Sequence, residues 1–520
     1  MSSARVVVVG AGVGGLVAAL LLARRGLAVT LVEKAPSPGG KMRRVMAAGA
    51  GIDAGPTVFT MRWIFDAIFA EAGERLESHL RLAPLSVLAR HAWEGDARLD
   101  LHADARASAE AIGQFAGAEE ARRFTGFCAQ ARRVYNALEG PYIRSSRPTL
   151  LGMMGGLGPR GLATLAGLGP FASLWGSLAR HFRDARLQQL FGRYATYCGS
   201  SPFAAPATLM LVAQVEMDGV WCVDGGMAAV AAALAALAQR NGVVIRYAAP
   251  CAEILVRGGR ACGVRLAGGE QIDADAVVFN GDVAALAEGL AGAPASAAVP
   301  PTPRAGRSLS ALTWAIHART AGFPLLRHNV FFTSDYASEF RDIFTHGRLP
   351  RAGTVYVCAQ DRADQGDHDG SAERLLCLVN APANGDAEAD DREEILRCEQ
   401  ASFSLLQRAG LSIDRHPQNT VLTGPRQFGK LFPATGGALY GQASHGWMAS
   451  FRRSGATSRL PGLYLAGGSV HPGPGVPMAA MSGRLAAATL MGHLDSTSRS
   501  RTVVISGGIS TRSATTAGTG

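Results

Sequence analysis

Lysine is almost missing from this chain. Lys34, Lys41 and Lys430 are the only three in 520 residues, so nearly all of the +10 net charge is arginine. The arginines are scattered, and no basic stretch is interleaved with stacking aromatics, which argues against a nucleic-acid partner. Cysteine is sparse as well. Cys128, Cys198, Cys222, Cys251, Cys262, Cys358, Cys377 and Cys398 never fall as C-x-x-C, and no histidine cluster accompanies them. Neither a metal site nor a redox pair is indicated; the eight read as small core residues in a reducing compartment. Charged residues make up only 18% of the chain against 48% hydrophobic. That is apolar for a soluble enzyme, yet no run suits an integral membrane protein. The charge-free candidate, residues 161–179, is interrupted by Pro170 and four glycines, which argue against a stable spanning helix.

What the chain does have is concentrated at its start. Arg5-Val6-Val7-Val8-Val9 reads as a buried parallel strand, followed by Gly10-Ala11-Gly12-Val13-Gly14-Gly15 and an Ala/Leu helix to Arg24 or Arg25. Gly10, Gly12 and Gly15 fit G-x-G-x-x-G between strand and helix. The first glycine permits the tight turn, the second lets a pyrophosphate approach the backbone, and the third lets helix and strand pack closely. The helix N-terminus offers free N–H groups to the phosphates. Gly26 stops the helix, residues 27–32 form a second strand, and Glu33 stands at its carboxyl end, where an acid binds ribose hydroxyls. NAD and FAD sites share these features. Residues 6–23 could be mistaken for a secretion signal, but the glycines serve the phosphate loop and no small-residue cleavage site precedes Glu33. The expectation is a retained, cytoplasmic-facing protein.

The next stretch separates the two cofactors. Gly39-Gly40-Lys41 soon after the ribose acid resembles the flavoprotein amine oxidase and carotenoid desaturase superfamily, and Asp53-x-Gly55-Pro56-Thr57 is similar to the carotenoid desaturases in particular. The resemblance implies that the glycine doublet lies against an extended FAD. It extends over about residues 5–493. Gly55-Pro56-Thr57-Val58-Phe59-Thr60-Met61-Arg62 and Gly473-Pro474-Gly475-Val476-Pro477-Met478-Ala479 most resemble the 1-hydroxycarotenoid 3,4-desaturases. Phytoene desaturases usually carry an Asp-Pro pair after the first motif, and it is missing here.

The fold class expected is α/β: a Rossmann-like FAD-binding domain from residues 1–75, 220–290 and 435–495, and a discontinuous α+β substrate domain from 76–219 and 300–434. A Ser/Thr/Gly-rich tail, 496–520, reads as disordered. Strands are expected around 97–101, 308–318 and 354–358, and helices over 63–72 and 393–409. Within the substrate domain, residues 149–182 form an apolar helical segment. Flanked by Arg147, Arg160, Arg180 and Arg183, broken helices there suit the interface of a membrane; two ordinary buried helices are the alternative. Gly156-x-Gly158-x-x-Gly161 also matches the glycine motif, but no strand precedes it and Pro159 occupies the turn.

Beyond the glycines and Glu33, the resemblance extends the cofactor-binding set to Gly14, Lys34, Gly40, Lys41, Gly55, Pro56, Thr57, a main-chain contact at Cys251, and Gly468, Val476 and Met478 in the C-terminal block. There a strand, a Pro/Gly loop and a helix after Pro477 place a helix N-terminus toward the flavin, stabilising its reduced, negative form. Gly468 stands where many FAD enzymes place an aspartate, so backbone N–H groups must serve there. No catalytic residue is identified: His471, His445 and Asp53 are candidates only by closeness in sequence, and a loop or cap hydrogen bond is the simpler role for each. The implied activity is desaturation of an acyclic carotenoid, most like formation of the C-3,4 double bond in 1-hydroxycarotenoids. Only one credible dinucleotide motif is present, so a quinone, oxygen or another membrane electron carrier is the expected acceptor. The expected location is peripheral, on an anionic inner (photosynthetic) membrane surface. The alternatives are a phytoene desaturase, a carotenoid isomerase or oxygenase or a flavin amine oxidase on the same scaffold, and, outside enzymes, a prenyl-chain escort protein that has lost the flavin.

Overall fold

The computed structural model describes residues 3–146, 149–169, 171–362, 366, 368–387 and 392–505. Its first β-α-β unit is the expected one: β1 (Arg5–Val9), α1 (Val13–Arg24) and β2 (Ala28–Val32). β1 lies at the centre of a five-stranded sheet whose order is Val244–Arg246, β2, β1, Ala276–Phe279, Leu463–Leu465. Every pairing is parallel, with Val7 opposite both Thr30 and Val277. A parallel sheet needs cover on both faces, and Val6, Val7 and Val8 are all buried. Helix α1 is apolar on every side because it is enclosed. Leu16, Val17, Ala18, Ala19 and Leu20 have no exposed surface, and the helix packs against Met227–Arg240 and Val476–Ile505. At Gly483 in that last helix, a Cβ would come 2.1 Å from the Gly14 carbonyl oxygen.

A seven-stranded sheet forms the second half. Its order is Thr420–Thr423, Ser310–Ala318, Glu373–Ala381, Val355–Ala359, His328–Phe331, Val87–Ala92, Arg98–His102. All pairings are antiparallel except that between His328–Phe331 and Val87–Ala92. Strands as far apart in sequence as Val87–Ala92 and Thr420–Thr423 thus complete one sheet. The hairpin Arg44–Ala47/Ala50–Asp53 packs on it and carries the chain between the two halves. Helices Ala118–Leu138, Leu174–His181 and Ala185–Gly192 enclose an aromatic core of Phe124, Phe127, Phe182 and Phe191.

The apolar segment divides in two. Leu150–Leu168 is a helix broken at Gly158 (φ 62°, ψ 176°), immediately before Pro159, and Leu174–His181 follows. Leu174 and Leu178, one turn apart, are fully buried in the phenylalanine core, and Trp175 lies on Phe203, ring centroids 4.6 Å apart. This half is therefore interior, not interfacial as the composition led one to expect, because its i, i+4 leucines find a protein face to bury against. In the first half and the following turn, Met154, Leu162 and Phe171 are exposed by 53%, 39% and 78%. Arg147 and Pro170 lie outside the described residues. No helix among the described residues is long and apolar enough to cross a membrane. The last helix continues to Ile505, and residues 506–520 of the expected tail are also outside the described residues.

Candidate functional site

The parallel sheet delivers its loops to one end of a cavity of about 1100 Å³. The Gly10–Gly15 turn enters from β1. Gly10 has φ +100°, a left-handed value that disfavours any side chain. At Gly14 a Cβ would meet the Ala479 carbonyl oxygen at 2.8 Å and the Gly467 nitrogen at 2.9 Å, so the first and last motifs of the chain touch here. Gly10, Gly12 and Gly14 line the cavity. Gly15 does not. It packs beneath the turn, where a Cβ would lie 2.1 Å from the Gly10 carbonyl oxygen.

Glu33 is 7% exposed. One carboxylate oxygen accepts from the Ala11 N–H (2.6 Å), the other from the Ala35 N–H (2.8 Å). A carboxylate has about four acceptor sites, so capacity for two ribose hydroxyls remains. Lys34, Gly40, Lys41, Gly55, Pro56, Thr57, Cys251, Gly468, Val476 and Met478 also line this cavity. The Lys34 ammonium donates to the Leu431 carbonyl, and that of Lys41 to the Leu439 carbonyl, both at 2.6 Å. Burial lowers the Lys41 pKa, while Asp282 opposes that shift. Asp282 caps Val283–Ala287 through the Ala284 N–H, and its Oδ2 has no hydrogen-bond partner among the described residues. Arg453, also buried, donates to the Tyr440 carbonyl at 3.0 Å.

Three candidate bases are placed elsewhere. Asp53 Oδ2 accepts from the Met227 N–H at 2.6 Å and so caps Met227–Arg240. His445 Nε2 accepts from the Ser201 N–H at 3.0 Å, and His471 Nε2 donates to the Tyr142 carbonyl at 2.9 Å. Burial pushes both histidines down to about 4. None of the three is in the cavity wall. The residue that sequence reading missed is Asn280. It ends the strand Ala276–Phe279, donates to the Gly10 carbonyl at 3.2 Å, and fills the space beneath Gly12, Gly14 and Gly15. Its position at the carboxyl end of a neighbouring parallel strand was the available signal.

The turn without side chains, the helix N-terminus behind it, the carboxylate at the end of β2 and the unpartnered Asp282 oxygen fit a dinucleotide. The sequence profile for flavin containing amine oxidoreductases matches residues 13–491. A hydroxyneurosporene desaturase of Rubrivivax gelatinosus is 69% identical over 518 residues, 99% of this chain and 98% of that one. The chain belongs to the flavin-containing amine oxidoreductases, within the carotenoid desaturase family. A second relative, the hydroxyneurosporene desaturase of Cereibacter sphaeroides, is 47% identical over 95% of this chain and 99% of its own length. Among solved structures, a putrescine oxidase is similar in fold (TM-score 0.59, 16% identity, 94% of this chain and 99% of that one). As a carotenoid desaturase the protein is an FAD-dependent oxidoreductase.

Away from the dinucleotide end, the cavity of this desaturase turns apolar. Leu157, Leu162, Leu165 and Leu168 from the broken helix, with Leu209, Leu211 and Val212, form its walls. At the outer rim Trp447, 46% exposed, meets Phe171 edge to face with centroids 5.9 Å apart.

Proposed function

We propose that this enzyme introduces the C-3,4 double bond into 1-hydroxycarotenoids, converting 1-hydroxyneurosporene to a product of the demethylspheroidene type. The observation that carries this reading is the continuity of one cavity from the Gly10 turn and Glu33 to the exposed apolar rim. A hydrocarbon chain entering there passes mainly apolar walls on its way to the flavin end. The names of the two bacterial relatives support the same substrate stage. Bound FAD supplies the two-electron acceptor. The protein's task is to bury the polyene, orient the saturated bond and exclude water. Conjugation of the polyene delocalises developing positive charge, so the reaction does not demand a strong base in the wall.

The rim residues Met154, Leu162, Phe171 and Trp447 form the contact with an anionic membrane surface in this reading, since exposed apolar side chains and net positive charge anchor additively. A quinone, oxygen or another membrane carrier then reoxidises the cofactor. The assignments of Gly10, Gly12, Gly14, Gly40, Lys41 and Cys251 to FAD belong to the same proposal.

Incubation of the purified protein with 1-hydroxyneurosporene, neurosporene and phytoene, followed by chromatography, tests the substrate. The hydroxylated carotenoid should be desaturated much faster than neurosporene, and phytoene hardly at all. Comparable rates on phytoene, with stepwise gain of conjugation, would overturn the 3,4-assignment.

A further inference from the structure

The cavity is apolar along most of its length, yet one wall carries a guanidinium. Arg193 follows helix Ala185–Gly192 and belongs to the cavity lining. Among the described residues its guanidinium donates one hydrogen bond, to the Tyr197 hydroxyl at 3.0 Å, while the buried Glu216 carboxylate offsets its charge without a direct ion pair. Two rings hold its plane: Tyr197 at 5.0 Å and Tyr356 at 5.4 Å to the centroids. A guanidinium has five N–H donors, so most of its hydrogen-bonding capacity is unspent. Leaving donors unmade away from bulk water is costly. Unspent donors on a residue of the cavity lining therefore point to a ligand with an acceptor.

Two neighbours define the place. The Tyr356 hydroxyl lies 2.7 Å from that of Thr57, in the Gly55-Pro56-Thr57 motif, and 2.7 Å from His328 Nδ1. The polar wall thus adjoins the motif assigned to the cofactor. Tyr336, 4% exposed and also part of the lining, has a hydroxyl with no hydrogen-bond partner among the described residues. Glu216, another lining residue, accepts from the Tyr194 hydroxyl at 2.7 Å and is the carboxylate that offsets the Arg193 charge.

We infer that Arg193, with the Tyr336 hydroxyl, receives the tertiary alcohol of the substrate. This rests on the proposed function. If the reacting bond is C3–C4, the oxygen on C1 lies only a few ångströms from it, so its receptor must stand beside the flavin end of the cavity. An alcohol oxygen accepts from the guanidinium and its hydrogen can go to a phenol oxygen. A hydrocarbon terminus would leave both protein groups unmatched, and a site built for a hydroxyl rejects an analogue lacking it far more strongly than an apolar pocket can. Arg193 and Tyr336 are accordingly specificity-determining residues.

The test compares the FAD-loaded protein with Arg193→Met, Arg193→Lys and Tyr336→Phe on 1-hydroxyneurosporene and neurosporene in liposomes. Wild type should prefer the hydroxylated carotenoid. In Arg193→Met the ratio of the two kcat/KM values should fall by roughly 10- to 100-fold, the range for losing a hydrogen bond to a charged group. Arg193→Lys should restore part of it, and Tyr336→Phe should show a smaller fall. Quenching of tryptophan fluorescence by the desaturated hydroxy product, which does not turn over, should weaken in parallel. A preference retained in Arg193→Met, or equal losses on both substrates with altered flavin retention, overturns the assignment while leaving the proposed function standing. No preference in wild type overturns both. Should Arg193→Met fail to fold, the Lys and Phe variants decide by the same ratio.

Discussion

The Glu33 carboxylate accepts the Ala11 N–H at 2.6 Å, tying the end of β2 to the middle of the glycine turn. The same group accepts from Ala35, so a single side chain shapes the turn and presents its remaining lone pairs to the cavity.

Removing that carboxylate should act twice. Glu33→Ala gives up ribose contacts worth roughly 1.5–3 kcal/mol, as for hydrogen bonds to a charged acceptor, and leaves the Ala11 N–H unpaired. Faster flavin release, followed by fluorescence, and a lower melting temperature are expected, with Glu33→Asp less affected. Unchanged FAD affinity in the alanine variant would count against the site.

Gly483 tests the contact between the chain's two ends. A Cβ there would sit 2.1 Å from the Gly14 carbonyl oxygen, so Gly483→Ala must push helix Val476–Ile505 off α1. A loss on the order of 1–3 kcal/mol is expected from overpacking, measured by denaturant unfolding, together with weaker FAD retention. A fully stable variant with normal flavin content would show that the helices are not pressed together.

The rim and the core of the apolar segment should separate cleanly. Replacing Met154, Leu162, Phe171 and Trp447 with serine or asparagine should reduce liposome flotation with little change in melting temperature or bound FAD. Leu174→Ala should instead destabilise by about 2–5 kcal/mol, as for a fully buried leucine. Normal flotation of the rim variant removes the proposed membrane contact.

Acid stability should carry the mark of the buried histidines. Burial lowers His471 from 6.5 to about 4 in the folded chain, so between those values the unfolded state binds a proton that the folded state refuses. The stability His471 contributes is complete above pH 6.5 and is lost as pH falls toward 4, by up to about 1.4 kcal/mol per unit. Urea titrations over pH 4–7 should show this slope, and His471→Gln should reduce it. An unaltered slope would mean the group is not held neutral.

The β-α-β unit, the glycine turn and the family were legible in the residues themselves, because such a turn is a local device. Strand, glycines, helix and terminal acid lie within about thirty positions, where backbone sterics and short-range hydrogen bonding decide the outcome. Strands at Ser310–Ala318 and Val355–Ala359 and the helix Arg392–Arg408 were likewise written in local patterning. What the tertiary structure alone decided was partnership. Asp53 and His471 look chemically able beside flavin motifs, yet packing turns one to cap a helix and the other to a carbonyl. Leu174 and Phe171 belong to one apolar run, and only the location of the phenylalanine core makes the first interior and the second exposed. Arg193 and Tyr336 are 143 positions apart in sequence and both line one cavity because two helical segments bring them there. Periodicity encodes which face of an element is apolar, but which neighbour covers that face depends on contacts between distant parts of the chain.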